Sequence, residues 1–244
     1  MVWCSRSCDV VRFESWSWAR GTPLPFGRMS EPTTERTRIR RLSERGRYDR
    51  ETIEEILDEA LVCHVGFIVD DMPYVIPTIH ARVGSTLYFH GSPASRMLRL
   101  LEKGASVSAT ATIVDGLVVA RALFHHSMNY RSAVVFGIPR LVDDPEERTV
   151  AFRAITEHVL PGRWDEARRP NPKEDKGTLL VAMPIDESSA KVRTGPPGDD
   201  DEDYELDIWA GVIPLTVIAG DPEPDPRLKA GVEVPNSVRD YPSG

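Results

Sequence analysis

The sequence predicts a mainly β fold, in which an antiparallel barrel is flanked by peripheral helices. Short apolar segments alternate with turn residues across residues 63–194, and few helical segments interrupt them. A doubly wound parallel sheet would need helices that alternate regularly with strands, and this pattern is missing. The chain has 244 residues, of which 41% are hydrophobic, so it can bury a substantial core.

The barrel region begins with one predicted helix and three predicted strands. Asp49 can cap a helix over 50–62, where apolar residues recur at helical spacing. Pro77 falls within the second strand and places it at a sheet edge or bulge, because proline cannot donate to a ladder. Asp70-Asp71 supplies the first turn. The three strands cover residues 63–69, 74–81 and 86–90.

A second helix is predicted over 93–103, with Ser92 as its cap and Pro93 at its first position. Residues 106–113 then alternate small polar with apolar side chains, which predicts a half-buried strand. Asp115-Gly116 is typical of a hairpin turn, so a return strand is expected. The later elements are a strand over 131–142, a helix from 145 to 160, and strands over 178–185 and 189–194.

Composition divides the chain into four segments. Residues 1–28 have no strand or helix period and are predicted to be a non-native or disordered extension, with Met29 as the native start. Residues 29–48 form an Arg-rich tail, and 49–215 form the folded domain. Residues 216–244 are predicted to be an irregular tail, since the last 25 residues contain five prolines.

Charge and hydropathy exclude several functional classes. The chain carries 30 Lys and Arg against 38 Asp and Glu, which argues against nucleic-acid binding. Its apolar runs are shorter than the roughly 18–20 residues that cross a bilayer, so no membrane partner is expected. Three sparse cysteines fit a reducing compartment, and the cytoplasm is the predicted location. No metal-site spacing is found.

The segment from His90 to Arg96 is the first motif that could carry chemistry. It lies where a strand is predicted to end and a helix to begin, and the first amides of a helix have no acceptor within it. The Ser95 hydroxyl and the Arg96 guanidinium add to these donors, so the segment suits a phosphate monoester. The alternative is ordinary helix capping beside a surface arginine.

The segment from His125 to Ser132 is the second motif. It carries seven hydrogen-bonding side chains in eight residues, which indicates a polar ligand loop; the alternative is a solvated connection. Adjacent histidines on a strand point to opposite faces and make a poor metal pair. Cys63 is predicted to be a core residue rather than a nucleophile, and His64, His80 and His158 are predicted to be structural.

Both motifs, with residues 75–78 before them, resemble the pyridoxamine 5′-phosphate oxidase-like family of FMN-binding split-barrel flavoproteins. The runs VIPTIHARVGSTLYFHGSPASRML and HHSMNYRSAVVFG carry the resemblance, which extends over residues 40–215. Lys191 to Pro196 and Trp209 to Gly211 fit the branch of nitroimidazole-resistance reductases and flavin-nucleotide-binding proteins.

The resemblance implies an antiparallel split β-barrel that forms a homodimer with FMN at the subunit interface. It assigns three groups of residues to FMN. Backbone along the ring edge would come from Val75, Ile76, Pro77 and Thr78; phosphate contacts from His90, Ser92, Ser95 and Arg96; and closure of the site from Asn129, Tyr130, Arg131 and Ser132. Trp209 would reach the flavin from the partner chain.

The expected function is that of an oxidoreductase that uses FMN on an unidentified small molecule, and no catalytic side chain stands out. True pyridoxamine-phosphate oxidases end with an Arg-x-His element, where this sequence has the apolar stretch 215–219, so oxidation of pyridoxamine phosphate is not expected. Two alternatives are a reductase that uses a deazaflavin and a non-catalytic flavin or haem carrier. In a haem carrier, His80 or His126 could be the axial ligand.

Overall fold

The structure is a computed structural model that describes residue 32 and residues 34–241. Within this part of the chain, ten strands form one antiparallel sheet. The strands are β1 (Gly46–Arg47), β2 (Val62–Val69), β3 (Met72–Val83), β4 (Thr86–Gly91), β5 (Val107–Val119), β6 (Ser127–Gly137), β7 (Arg140–Leu141), β8 (Leu179–Pro184), β9 (Glu187–Arg193) and β10 (Gly211–Pro214). The α-helices are α1 (Arg50–Glu59), α2 (Arg96–Leu101), α3 (Pro145–Val159), α4 (Arg163–Glu166), α5 (Pro172–Lys176) and α6 (Asn236–Arg239).

The sheet runs in the order β1-β9-β6-β5-β2-β3-β4-β8-β7, and β10 pairs with β5. β3 is the strand at which the barrel opens, because its partner changes along its length. Residues 72–79 pair with β2, whereas residues 80–83 pair with β4. The predicted antiparallel split barrel with peripheral helices is therefore confirmed.

Two apolar clusters hold the fold together. The larger cluster fills the barrel with the inner faces of β2, β5 and β6 and with one face each of α1 and α2. The smaller cluster packs α3 against the outer side of β4 and β8. The small polar residues of β5 alternate with buried Val107, Ala109 and Ala111, so the predicted half-buried strand is confirmed. Cys63 is fully buried, and burial raises the pKa of its thiol to about 12. The thiol is therefore inert, as predicted.

Aspartate caps start both long helices, and the cap predicted at Asp49 is confirmed. The Asp49 carboxylate accepts from the Thr52 amide at 2.9 Å and starts α1, and the Asp144 carboxylate accepts from the Glu147 amide at 2.8 Å and starts α3. The Glu147 side chain does not complete a capping box. It binds the Arg140 guanidinium and the Tyr88 hydroxyl instead, and burial together with this hydrogen bond raises the pKa of Tyr88 to about 12.

The predicted hairpin at Asp115-Gly116 is wrong. β5 continues through these residues, and its register against β6 shifts between Val114 and Gly116, which marks a bulge. A Cβ at Gly116 would lie 3.0 Å from the carbonyl oxygen of Ile213. Glycine is needed here because β10 approaches closely, and the expected return strand 117–124 is instead the end of β5 followed by a 3₁₀ turn, Leu123–His125.

Two other expectations are corrected. The strand expected over 131–142 is β6, which starts four residues earlier, at Ser127, and ends at Gly137, followed by the short β7 on β8, because Pro139 has no N–H for the ladder. The short helices α4, α5 and α6 were not expected; α5 forms because Asn171 and Glu174 make a capping box. The extension predicted for residues 1–28 lies outside the described residues. No helix in the described part is long and apolar enough to span a membrane.

Candidate functional site

Residues 75–78 lie on an open edge of the sheet. β2 covers one side of this stretch, and within the described chain no strand pairs with the other side. Val75 is 63% exposed and Ile76 is 39% exposed, which is unusual for apolar residues of a central strand. Pro77 lies on this open stretch, in agreement with the edge predicted for it. The free backbone groups of the edge can accept hydrogen bonds from a planar polar ligand, or donate to it.

The segment from Gly91 to Arg96 joins β4 to α2, but the helix begins later than predicted. Ser95, not Ser92, is the N-cap, and its hydroxyl accepts from the Leu98 amide at 3.4 Å. Ser92 instead accepts from the Ala94 amide at 3.1 Å, because the first turn after β4 is not helical. The helix has six residues. The helix therefore gives much less support to phosphate binding than a long helix beginning at Pro93 would give. The Arg96 guanidinium remains as the main phosphate-binding group.

Arg96 connects this segment to the open edge. Its guanidinium lies over the ring of Tyr74, 5.1 Å from the centroid, and Tyr74 directly precedes the exposed stretch of β3. Tyr74 itself stacks on Phe67 of β2, with ring centroids 5.6 Å apart. Among the described residues no carboxylate pairs with Arg96, so its charge is available to an anion. Sequence analysis missed Tyr74, since a contact across 22 residues leaves no local signal.

His90 lies at the end of β4 beside the same segment. Its Nδ1 atom is buried and has no hydrogen-bond partner in the described chain, and burial lowers the pKa of the imidazole. A buried polar atom without a partner is costly, so a ligand group or an ordered water is expected next to it. The first two groups of predicted residues therefore meet at one place, the open end of the barrel; this place, from the β3 edge to Arg96, is here named the edge site.

The four residues predicted to close the site, Asn129 to Ser132, lie on β6 rather than in the polar loop expected there, and β5 and β2 lie between β6 and β3. Asn129 is buried, and its side chain binds Arg193 and the Gly195 carbonyl. Arg131 forms ion pairs with Glu59 and Asp115, whose carboxylates raise its pKa. The Ser132 hydroxyl lies 2.9 Å from that of Thr112. Tyr130 is the fourth residue and is half-buried.

Trp209 lies just before β10 and is 66% exposed. Its indole passes close to the next strand, because a Cβ at Gly211 would lie 3.0 Å from its Cζ2 atom. β10 pairs with the second half of β5, so Trp209 also lies away from the edge site of its own chain. The region that contains β6 residues 129–132 and Trp209 is named the distal region.

The acidic loop 199–205 anchors the distal region. The Asp199 carboxylate is fully buried and accepts from the amides of Arg121 and Ala122 at 2.9 and 3.2 Å. The Arg121 guanidinium pairs with the same carboxylate and lies over Tyr204, 4.7 Å from the ring centroid. Within the acidic run, the position of Asp199 could not be identified from sequence, since its partners are 77 and 78 residues away.

A family model described as pyridoxamine 5′-phosphate oxidase matches residues 49–192. Among solved structures, the chain is 37% identical to the flavocytochrome Anf3 from Azotobacter vinelandii, with a TM-score of 0.82 that covers 88% of this chain and 100% of the other. It is 38% identical to an FAD and heme binding protein from Mycobacterium smegmatis, with a TM-score of 0.78 and coverages of 82% and 98%.

A third structure, of a putative 5-nitroimidazole antibiotic resistance protein from Bacteroides thetaiotaomicron, is 24% identical and has a TM-score of 0.52. It covers 60% of this chain and 86% of its own, and shows the fold alone. A search of the curated proteins found no match.

Proposed function

We propose that this chain, which belongs to the pyridoxamine 5′-phosphate oxidase family, is a homodimeric redox protein that binds a flavin nucleotide and a haem. The observation that carries the flavin proposal is the contact of Arg96 with Tyr74. It brings a cation without a carboxylate partner to the one stretch of β3 whose second edge is open. The cation suits the flavin phosphate, and the open edge suits the ring.

The 5′-phosphate is the chemical group that FMN and FAD share. The sequence resemblance favours FMN, and the similar protein from Mycobacterium smegmatis is described as binding FAD. A bound flavin would supply electron transfer to or from a small-molecule substrate, which makes the protein an oxidoreductase. This chain would hold the phosphate with Arg96 and Ser95 and orient the ring along Val75–Thr78, and the cytoplasm remains the proposed location.

The test is a titration of the flavin-free protein with FMN, FAD and riboflavin. We expect the two nucleotides to bind at least tenfold more tightly than riboflavin, because riboflavin has no phosphate. Arg96→Ala should weaken FMN binding about 10- to 100-fold, since a charge-assisted hydrogen bond contributes roughly 1.5–3 kcal/mol.

Arg99→Ala is the matched control, because Arg99 lies on the same helix and donates to the Pro93 carbonyl at 2.7 Å. Its FMN affinity should stay within about threefold of the wild type. Equal affinities for FMN and riboflavin would contradict the phosphate assignment, and tight binding of a deazaflavin in preference to both nucleotides would favour the deazaflavin-dependent reductase.

The homodimer is proposed because the two parts of the predicted site lie apart in one chain. In one chain, β5 and β2 separate β6 of the distal region from β3 of the edge site, whereas a second copy can bring its Trp209 to that site. Exposed apolar residues of both parts, such as Val75 at the edge site and Trp209 in the distal region, support an interface. Light scattering should give the mass of two 27.3 kDa chains. A flavin-loaded monomer would contradict the dimer.

The haem is proposed because two solved structures, 37% and 38% identical to this chain, are described as a flavocytochrome and as an FAD and heme binding protein. A bound haem would supply one-electron chemistry. The absorption spectrum of freshly purified protein tests both cofactors at once: flavin bands with a Soret band support the proposal. Flavin bands alone, in protein produced with added haem precursor, would leave the simple flavoprotein as the function.

A further inference from the structure

We propose that His126 is the axial ligand of the haem and that the porphyrin lies on an exposed apolar band formed by Met128, Leu117 and Ile213. This inference rests on the redox function proposed above and names where in the chain the haem is held. Nothing in the comparisons assigns a ligand, so the assignment comes from the contacts of the six histidines, all of which lie in the described part of the chain.

Three histidines already use Nε2, the nitrogen that most often ligates a haem. His80 is fully buried, with Nε2 2.8 Å from the Leu57 carbonyl oxygen, and His158 has Nε2 3.1 Å from the Ala60 carbonyl oxygen. The rings of these two contact each other at a tilt of 51°, with centroids 5.0 Å apart. His125 places Nε2 3.4 Å from the Asp200 carboxylate. His80, one of the two ligands suggested by the sequence, therefore does not fit.

The other three histidines, His64, His90 and His126, have Nε2 without a hydrogen-bond partner in the described chain. They differ in the second nitrogen. Nδ1 of His126 lies 3.2 Å from the Ala122 carbonyl oxygen, whereas neither His64 nor His90 has a partner for Nδ1. An imidazole that donates Nδ1–H to a backbone carbonyl presents the lone pair of Nε2, and this arrangement is usual for histidines that ligate metals. His90 is, in addition, part of the edge site.

The apolar band lies across three paired strands beside His126. Leu117 of β5 is directly opposite Met128 of β6 and Ile213 of β10, so the three side chains share one face. Their exposed fractions are 39%, 49% and 46%. Because residues two apart in an extended chain point to the same side, the imidazole of His126 lies on the side of Met128. The band therefore offers an apolar floor next to a metal-ligating nitrogen.

The turn that precedes His126 is also apolar and almost fully exposed. Leu123 is 87% exposed and Phe124 is 91% exposed, although both belong to an ordered 3₁₀ turn held by the buried Asp199. Two such side chains in water contribute none of the free energy that their burial would supply, so we expect a bound group to cover them. A porphyrin seated on the band and ligated by His126 supplies such a cover, and the ordered turn positions the ligand before haem arrives.

The test is haem binding by the purified full-length protein, with the flavin retained. Hemin is titrated into the wild type and into His126→Ala, His64→Ala and Leu117→Glu, and the Soret band and the electron paramagnetic resonance spectrum are recorded. We expect His126→Ala to lose the histidine-ligated spectrum and at least tenfold in hemin affinity. Leu117→Glu should weaken hemin binding while the ligated spectrum of the remaining complex is kept.

His64→Ala is the matched control, since it removes an exposed imidazole from a neighbouring part of the sheet; its spectrum should equal that of the wild type. Flavin content of His126→Ala should be unchanged, which a misfolded variant would not show. Loss of the ligated spectrum in His64→Ala, or its retention in His126→Ala, would overturn the assignment. A wild type that binds flavin but no hemin would overturn the haem site alone, whereas binding neither would overturn the proposed function.

Discussion

The edge site and the distal region contain similar residue types but use them differently. At the edge site, the Arg96 guanidinium lies over the ring of Tyr74, and Nδ1 of His90 is buried without a partner among the described residues. In the distal region, Arg131 is paired with two carboxylates and Asn129 is bound to Arg193. The edge site is therefore prepared for an external ligand, whereas most polar groups of the distal region already hold their own chain together.

This difference shows that similar polar motifs in a sequence belong to two kinds of region: one that is open to a ligand and one whose polar groups bind each other within the chain. Arg96 and Arg131 both lie in segments that resemble a flavin-binding family, and their sequence contexts do not separate them. Only the positions of Glu59 and Asp115 decide that Arg131 ties the end of α1 to β5 and β6. We therefore expect the distal region to contribute to a flavin site mainly by shape, through exposed residues such as Trp209.

The prediction with the largest expected effect concerns an Arg-x-His element, which this chain lacks after β10. The stretch after β10, residues 215–219, is apolar and exposed, with Val217 91% exposed, where pyridoxamine-phosphate oxidases have Arg-x-His. Losing two charge-assisted hydrogen bonds to the substrate, each worth roughly 1.5–3 kcal/mol, predicts oxidation of pyridoxamine phosphate at least about 100-fold slower than by a true oxidase.

The measurement is pyridoxal phosphate formation under air by flavin-loaded protein, with a true oxidase as the control. Dithionite should bleach the flavin in the same preparation, which shows that the redox centre is intact. A rate within about tenfold of the control would mean that Arg193 or Lys191 replaces the missing element, and the contrast between the two regions would then be smaller than the structure indicates.

The second prediction concerns the pH dependence of stability that comes from His80, a buried residue next to the edge site. His80 follows the open stretch of β3, and burial lowers the pKa of its imidazole to about 4. The unfolded chain, with a pKa near 6.5, takes up this proton first, so the contribution of His80 is lost as pH falls from about 6.5 towards 4. Between pH 7.5 and 4.5 the loss should be about 2.5 kcal/mol.

Urea unfolding at the two pH values measures this loss. In His80→Gln the difference between pH 7.5 and 4.5 should shrink by about 2.5 kcal/mol, while carboxylate contributions remain in both proteins. Ser188→Ala, which removes a buried hydroxyl that does not titrate and that donates to the Ile185 carbonyl at 2.8 Å, should keep the wild-type difference. If His80→Gln also keeps the wild-type difference, protonation of the buried imidazole is not linked to folding, and the stability of the fold beside the edge site does not depend on that proton.

The third prediction separates a structural asparagine from a flavin ligand. Asn129 binds Arg193, a buried cation whose pKa is lowered by burial and which also donates to the Gly195 and Pro196 carbonyls. Asn129→Ala removes an acceptor from this cation and should lower the free energy of unfolding by about 2 kcal/mol. Ser132→Ala, on the same strand, should cost about 1 kcal/mol or less, since its partners are neutral.

Flavin affinity decides between the two roles of Asn129. A structural residue should leave the affinity of the folded variant within about threefold of the wild type. A tenfold loss of FMN affinity with unchanged stability would instead show that the side chain contacts the flavin, as the family resemblance implies, and the distal region would then be a direct part of the site.

Much of the fold was predictable because its signals are local. The Asp49 and Asp144 caps, the Asp70-Asp71 turn and the alternation along β5 each lie within a few residues. The Asp115-Gly116 bulge was not predictable, because the same dipeptide makes hairpins and only the distant β10 selects the bulge.

The residues of the candidate site also fall into those that a local sequence signal identifies and those whose contacts depend on distant strands. Residues 75–78 and Arg96 were identified from sequence, and the structure brings these two groups together. That Asn129 is bound by Arg193, 64 residues away, has no local signal, because it depends on the pairing of β6 with β9. Long-range strand pairing therefore decides which polar residues remain available to a ligand. That pairing could not be predicted from this sequence alone.

The smallest expected effect tests whether the distal region of one chain completes the edge site of another. Trp209→Ala should weaken FMN binding about 3- to 10-fold, since an aromatic contact contributes about 0.5–1.5 kcal/mol. Trp164→Ala is the control, because that indole lies against Arg169, 4.0 Å from the guanidinium carbon, in a different part of the fold. Its FMN affinity should match the wild type.

Mixing the two defective chains makes this test decisive. Arg96→Ala and Trp209→Ala homodimers each have two impaired sites. If every site takes Arg96 from one chain and Trp209 from its partner, a heterodimer has one site with both defects and one with none, so about a quarter of all sites in an equal, fully exchanged mixture should regain wild-type FMN affinity. A mixture that titrates as the plain sum of its two homodimers, after subunit exchange is verified by mass spectrometry, would place both residues in the same chain's site and remove the reason for separating the two regions.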